Sequence, residues 1–167
     1  MVMKLIPLSH GKVTMVDDVD FEFLSQRKWD AYWKRRNGTV VWYAVHSHPR
    51  RPRTWMHRVI AQRVGLPWSE RYDHVDCDGL NNQRDNIRPC TVGQNMANSR
   101  KRLGCSSRYK GVSWHQRQMK WSVCIGVNGK YRFLGRFDDE VEAALAYNLA
   151  AVEIFGEFAR VNVIGSD

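Results

Sequence analysis

Residues 56–102 read MHRVIAQRVGLPWSERYDHVDCDGLNNQRDNIRPCTVGQNMANSRKR, and the patterns inside this stretch decide the fold. Met56, Val59, Ile60 and Val64 recur at helical spacing, and Gly65 stands where a helix takes a left-handed closing residue. A short extended piece follows and ends in a turn at Asp78-Gly79. A second extended piece runs from about Asn86 to Cys90. Thr91 and Gln94 then form a T-x-x-Q capping box, which predicts a helix to about Arg102 with Asn95 in its first turn and Asn98 on nearly the same face. Two short strands and a helix thus surround a set of polar side chains.

Upstream, Asp17 or Asp18 is expected to cap a short helix through Phe21, Leu24 and Gln26. WDAYWKRRNGTVVWYAV reads as a hairpin. Trp29, Ala31 and Trp33 alternate before Asn37-Gly38, and Val40, Trp42 and Ala44 after it, with Asn-Gly supplying a two-residue turn of positive φ. The proline-broken basic run SHPRRPRTW, with His46 just before it and His48 inside it, is expected to be an exposed loop. Downstream, RKRLGCSSRYKG marks a boundary near residues 103–107. Strands are expected over about Tyr109 to His115, Lys120 to Val127 and Lys130 to Leu134, the last two joined at Asn128-Gly129. A helix should begin at Asp138, with Asp139, Glu140 and Glu142 against its positive end and Gly156 closing it. Val141, Ala144, Leu145, Asn148, Ala151, Val152 and Phe155 form one stripe, which predicts a helix packed on one face of the sheet and leaves the other face open.

The chain has 167 residues, 43% of them hydrophobic and 26% charged, with seven Trp; this is enough apolar area to exclude wholesale disorder. No apolar run approaches the ~20 residues of a spanning helix, and the opening lacks a signal-peptide pattern, so a cytoplasmic setting is the expectation. Four cysteines without a C-x-x-C pair predict free thiols and no structural zinc. The formal charge of +9 is unevenly spread, because residues 99–132 hold nine Lys and Arg with no acid while residues 133–167 hold two bases and seven acids. An acid-free basic stretch with Tyr109, Trp114, Trp121, Tyr131 and Phe133 interleaved draws a polyanion through counterion release. Nucleic acid is the expected partner. A solvated basic face is the plainer alternative.

Asp73 and His74 are neighbours on the first of the two short strands. Successive strand side chains point to opposite faces, so the pair can serve two sides of one phosphodiester, a metal on one and an attacking water on the other. A solvated Asp-His pair in a polar loop is the alternative that these two residues alone leave open. The wider set of Met56-His57-Arg58, Asp73-His74, Asp78-Gly79-Leu80-Asn81-Asn82, Asn86-Ile87-Arg88 and Gln94-Asn95 resembles the ββα-metal fold of HNH nucleases, and most of all their phage and intron-encoded homing group. The resemblance implies His74 as the general base and Asn86 as the residue that braces the loop. It puts Asn95 in the position of the family's final His. Asp73 and Asn95 would hold one divalent ion, and a carboxylate with an amide oxygen suits Mg²⁺, or another such as Mn²⁺. His57 joins the catalytic candidates as a contact to the scissile phosphate, with a packing role as its other reading. Asp76 and Asp78 read as turn formers.

Residues 108–162 resemble the plant ethylene-response-factor (Apetala-type) DNA-binding domain. The likeness rests on Tyr109-Lys110-Gly111-Val112, Lys120-Trp121, Leu134-Gly135-Arg136-Phe137, Glu142-Ala143-Ala144, Ala146-Tyr147 and Phe158-Ala159-Arg160-Val161-Asn162. It implies a three-stranded sheet docked in the major groove of duplex DNA. Carried over by position, the DNA face comprises Lys110, Ser113, His115, Lys120, Cys124, Gly126, Tyr131 and Phe133, while Trp121, Val123, Ile125 and Val127 are core. The family commonly has Arg where Ser113, His115 and Gly126 stand. Without those bidentate contacts to guanine, the face is expected to grip backbone and thymine methyls, with Arg100, Lys101, Arg102, Arg108 and Arg117 on phosphates.

The expected fold class is α+β, a small ββα-metal nuclease module followed by a three-stranded antiparallel sheet packed on one helix. The nuclease domain spans residues 1–102, with a lead-in to residue 55 and the metal core from residue 56. Residues 103–107 link it to the DNA-binding domain at 108–162. The expected function is Mg²⁺-dependent cleavage of double-stranded DNA to 5′-phosphate and 3′-hydroxyl ends, with no membrane and no obligate protein partner. The same resemblance implies that the protein is encoded by a phage or mobile element and acts in the host cytoplasm. A non-catalytic, sequence-specific DNA-binding regulator on the same scaffold is the alternative. RNA is a weaker choice, because the deep, narrow major groove of A-form helices does not admit a sheet.

Overall fold

The computed structural model describes residues 2–165. The described residues form small sheets and four α-helices, a mixed α and β architecture, and the chain divides into two compact units. The first comprises residues 1–36 and 40–91, and the second residues 37–39 and 92–167.

In the first unit, β1 (Met3–Pro7) and β2 (Val13–Asp17) form an antiparallel hairpin. His10 and Gly11 take positive φ in its turn. Helix α1 (Asp18–Ser25) follows directly. Asp17 holds the position before α1, but its carboxylate does not cap the helix; it accepts instead from Arg84 N at 2.7 Å and from Gln83 Nε2 at 3.3 Å. The fully buried Asp20 accepts from Arg84 Nε at 2.6 Å, Arg84 Nη2 at 2.9 Å and Arg63 Nε at 2.9 Å. Hydrogen bonds from Arg84, and then from Arg63, hold its pKa below the ordinary carboxylate value against the cost of burial. Both acids thus fasten residues 83 and 84, ahead of Asn86.

Strands β3 (Asp30–Arg36), β4 (Thr39–His48) and β5 (Arg51–Trp55) form a sheet in that order. Asn37 and Gly38 both have positive φ, 51° and 85°, as a two-residue hairpin turn requires. The basic run at 47–55, read as a loop from its prolines, is largely strand. Pro52 sits on β5, at the edge of its sheet, where a missing N–H is tolerated. Helix α2 (Met56–Arg63) buries Met56, His57, Ile60 and Ala61, and Gly65 follows it at φ 69°. Strands β6 (Arg71–His74) and β7 (Ile87–Cys90) pair antiparallel, with Asp73 opposite Arg88 and His74 opposite Ile87. The core gathers Ile6, Val16, Leu24, Trp29, Met56 and Ile60, and Trp29 Nε1 donates to Leu24 O at 2.8 Å.

In the second unit, helix α3 (Val92–Ala97) is shorter than the capping box suggested. Beyond Ala97, Ser99 Oγ donates to Met96 O at 2.7 Å, so a local side-chain bond closes the helix early. Strands β8 (Val112–His115), β9 (Lys120–Val127) and β10 (Lys130–Phe137) form an antiparallel sheet in the order β10-β9-β8. Residues 109–111 lie outside β8 because Gly111 turns the chain at φ 80°. Helix α4 (Glu140–Phe155) starts two residues later than expected, capped by Asp139, whose carboxylate accepts from Glu142 N at 2.8 Å. Its buried face is Ala143, Ala144, Tyr147 and Ala151, whereas Leu145 and Val152 of the expected stripe are exposed. Small side chains let the helix approach Val123 and Ile125 of the sheet, and only Tyr147 brings bulk. Asn148 and Asn162 pair reciprocally through backbone and side chain, at 2.9 and 2.6 Å, and Asn162 Oδ1 accepts from Lys110 N at 2.6 Å, which ties the segment ahead of β8 to α4 and the segment after it.

Candidate active site and nucleic-acid interface

The loop between β6 and β7 is held by its own side chains. Asp76 Oδ1 accepts from Asp78 N at 2.8 Å, and Asp78 Oδ1 accepts from Leu80 N at 2.9 Å; these are the turns expected of both acids. Asn86 Nδ2 donates to Asp76 Oδ1 at 2.9 Å and to Asn81 O at 2.8 Å, while its Oδ1 accepts from Asp76 N at 3.0 Å. One amide therefore ties both ends of the loop. Gly79 is obligatory here, since a Cβ on it would lie 2.4 Å from Trp42 O and 2.6 Å from the Tyr43 ring.

His74 ends β6 and is buried, with its Nε2 3.4 Å from Asn82 Oδ1. Burial lowers its pKa, against the opposing effect of the Asn82 hydrogen bond and of Asp76, Asp73 and Asp78. The ring is thus kept neutral at physiological pH, as a proton acceptor must be. The His57 ring packs edge-on against it at 5.1 Å, and Tyr43 lies 6.1 Å from His74. Desolvation depresses the His57 pKa most, and repulsion from His74 when it is protonated, and from Arg58 and Lys34, adds to it.

Both imidazoles are neutral when folded and take up a proton below about pH 6.5 when unfolded. The unfolded chain then binds more protons, so stability falls as pH drops from about 6.5 toward the folded values. The denaturation midpoint of the wild-type protein should fall between pH 7 and pH 5, and that of His57→Gln should fall less. One proton contributes at most about 1.4 kcal/mol per pH unit. Parallel slopes for the two proteins would mean that His57 is not buried in neutral form.

Asp73, also buried, faces the Arg88 guanidinium at 3.2 Å. Among the described residues no three His, Cys, Asp or Glu side chains gather as a metal cluster. The Asp73 carboxylate is a hard oxygen donor of the kind Mg²⁺ takes, one or two of them at a time with water and phosphate oxygens completing the shell. Asn95 lies in α3, counted with the second unit, so Asp73, His74, Asn86 and His57 are the candidate residues gathered in the first.

In the second unit the open sheet face carries Ser113 and His115 of β8, Lys120, Cys124 and Gly126 of β9, and Tyr131 and Phe133 of β10. Register pairs His115 with Lys120, Gly126 with Tyr131 and Cys124 with Phe133. Tyr131 is 87% exposed and Phe133 52%, large aromatic surfaces that no core claims. Val123 and Ile125 are buried on the opposite face, with Trp121 and Val127 packed against that core. Lys120 Nζ pairs with Asp138 at 3.0 Å. The Lys110 ammonium is turned inward, donating to Ala97 O at 2.5 Å and Ser99 O at 2.8 Å. Arg100, Arg102, Arg108 and Arg117 are exposed, and Lys101 half-buried.

Sequence reasoning missed Arg136. A bulge between Phe133 and Gly135 shifts the register, so Arg136 pairs with Ser122 on the open face and its guanidinium lies 4.9 Å from the Phe133 ring. Strict alternation from Tyr131 and Phe133 puts residue 136 on the helix side; Gly135 inside a strand was the available signal of a bulge. Thr14 and Asn82 were missed as neighbours of His74, since they lie far apart in sequence from each other.

No protein-family model matches the chain. It is 32% identical, over 165 residues, to a protein of Acanthamoeba polyphaga mimivirus named as an HNH endonuclease, a match covering 94% of this chain and 79% of that one. Over 96 residues it is 29% identical to Protein 3.8 of Escherichia phage T7, covering 57% of this chain and 78% of the phage protein. It is also 40% identical over 58 residues to an ethylene-responsive transcription factor of Arabidopsis thaliana; that match covers 34% of this chain and only 14% of the factor. With the mimivirus likeness running through both chains, this chain belongs to the HNH endonuclease family. Among the described residues, no helix is long and apolar enough to cross a membrane.

Proposed function

We propose that the protein is a divalent-metal-dependent endonuclease that hydrolyses phosphodiester bonds in duplex DNA, leaving 5′-phosphate and 3′-hydroxyl ends. The observation that carries the reading is a buried histidine, His74, next to the buried carboxylate of Asp73 at the end of β6 and followed by a loop that Asn86 braces. His74 takes the proton of the water that attacks phosphorus. Asn86 keeps the loop from shifting the imidazole, because a displacement of about 1 Å forfeits alignment with the reacting bond. Asp73 would help to hold Mg²⁺, which when bound stabilises charge on the phosphate and on the departing 3′ oxygen. The C-terminal sheet docks the substrate, with Tyr131 and Phe133 against bases or sugars and the surrounding cations on phosphates.

A DNA-binding regulator that does not cut is the second reading, favoured by the 40% identity to a transcription factor over 58 residues. Both readings share the docking surface, which is tested by the salt dependence of duplex binding. Replacing Arg117, Lys130 and Arg136 together with alanine should reduce the slope of log K against log salt by about 0.9 for each phosphate no longer neutralised. An unchanged slope places the grip elsewhere, for which the basic strand around Arg51 and Arg53 is the next candidate. Cutting of the bound duplex on addition of Mg²⁺ then separates nuclease from regulator.

A further inference from the structure

A chain of hydrogen bonds leads from β2 to the imidazole of His74, and two backbone carbonyls, which can only accept, fix every proton along it. Thr14 Oγ1 lies 2.7 Å from Leu80 O, so the hydroxyl proton goes to that carbonyl and the oxygen is left to accept. Asn82 Nδ2 lies 2.8 Å from Thr14 Oγ1 and 3.4 Å from Gly79 O. The side of the amide facing Gly79 O must be the NH₂ group, which turns Oδ1 toward His74 Nε2 at 3.4 Å. An amide oxygen cannot donate, so Nε2 carries the proton. Thr14 is fully buried and Asn82 is 1% exposed, so bulk water does not compete for these groups. The backbone holds the frame: Met15 N donates to Leu80 O at 2.9 Å and Asn82 N to Met15 O at 2.8 Å, clamping the loop to β2 next to the Thr14 hydroxyl.

We propose that Thr14 and Asn82 are positioning residues that hold His74 in the Nε2-protonated tautomer, making Nδ1 the nitrogen that receives the proton of the attacking water. This rests on the reading of His74 as the base. In the step itself, an O–H bond of water breaks and its proton joins the Nδ1 lone pair, the water oxygen forms the new bond to phosphorus, and the bond from phosphorus to the 3′ oxygen breaks, its electron pair leaving on that oxygen, which takes a proton from solvent to become the 3′-hydroxyl. Nε2–H keeps its bond to Asn82 Oδ1 throughout, so the imidazolium is stabilised as it forms.

The test is ¹⁵N-histidine NMR of the protein, with single-turnover cleavage in Mg²⁺ alongside. Wild-type His74 should show the pattern of a ring protonated at Nε2. Thr14→Val keeps the shape but removes the hydroxyl, freeing the Asn82 amide to turn. It should mix the tautomers and slow cleavage by roughly 10- to 100-fold without changing the KM for DNA, while Thr14→Ser restores both signals. Asn82→Ala should do the same if it folds. A wild-type ring protonated at Nδ1 would overturn the proposal even with His74→Ala inactive, and so would wild-type spectrum and rate in Thr14→Val. Wild-type cleavage by His74→Ala would instead remove the base reading and this proposal with it, whatever the tautomer.

Discussion

The His74→Ala protein is expected to bind duplex DNA within a few fold of wild type and to cut it roughly 10²- to 10⁴-fold more slowly. That loss corresponds to about 2.7–5.4 kcal/mol of transition-state stabilisation. The ring is buried among His57, Tyr43 and Asn82, where it can contribute little to docking on a long polyanion. Its removal leaves Asp73, Arg88 and the Asn86 brace in place. Gel shifts in Ca²⁺ report binding, and single-turnover rates in Mg²⁺ report chemistry. Equal loss of binding and cutting would assign His74 a merely structural part.

Gly111→Ala should unfold the second unit and abolish its grip on DNA. Gly111 has φ 80°, and a Cβ there would lie 2.0 and 2.3 Å from ring carbons of Tyr147 and 2.9 Å from Cys124 O. The left-handed conformation costs a non-glycine residue about 1–2 kcal/mol, and overpacking about 1–3 more. Tyr147 cannot step aside, because it is the one bulky side chain on the buried face of α4, and burial pushes its phenol up to about 12. Together these approach the whole stability of a small domain. Circular dichroism and a duplex-binding titration would show the loss. A variant that melts with the wild type would mean that β9 and α4 do not pack around Gly111 as described.

Residues that report on local structure were the legible ones. The Asn-Gly turns at 37–38 and 128–129, the alternation on β9 and the closing Gly65 each act within a few residues, so spacing alone reveals them. The β1–β2 hairpin escaped notice because its strands bury few apolar residues and its turn, with His10 and Gly11, carries no standard signature. Asp17 looked like a helix cap because nothing nearby in sequence announces Arg84, its partner across more than sixty positions. The α4 stripe misled for a different reason. Alanine and tyrosine form the packed face, while Leu145, Leu149 and Val152, the more hydrophobic residues, face outward. Asp73, His74 and Asn86 stood out as residue types at a spacing, but the Thr14–Asn82 connection to the imidazole is a tertiary contact that no local pattern carries.

Nuclease activity is tested most directly by incubating the purified protein with supercoiled plasmid in Mg²⁺, and in EDTA, and sequencing the new ends. Cleavage is expected in Mg²⁺ only, with 5′-phosphate and 3′-hydroxyl termini and a raised Mg²⁺ requirement in Asp73→Ala. Plasmid that is bound yet intact in both Mg²⁺ and Mn²⁺, or cut equally well in EDTA, would contradict that expectation.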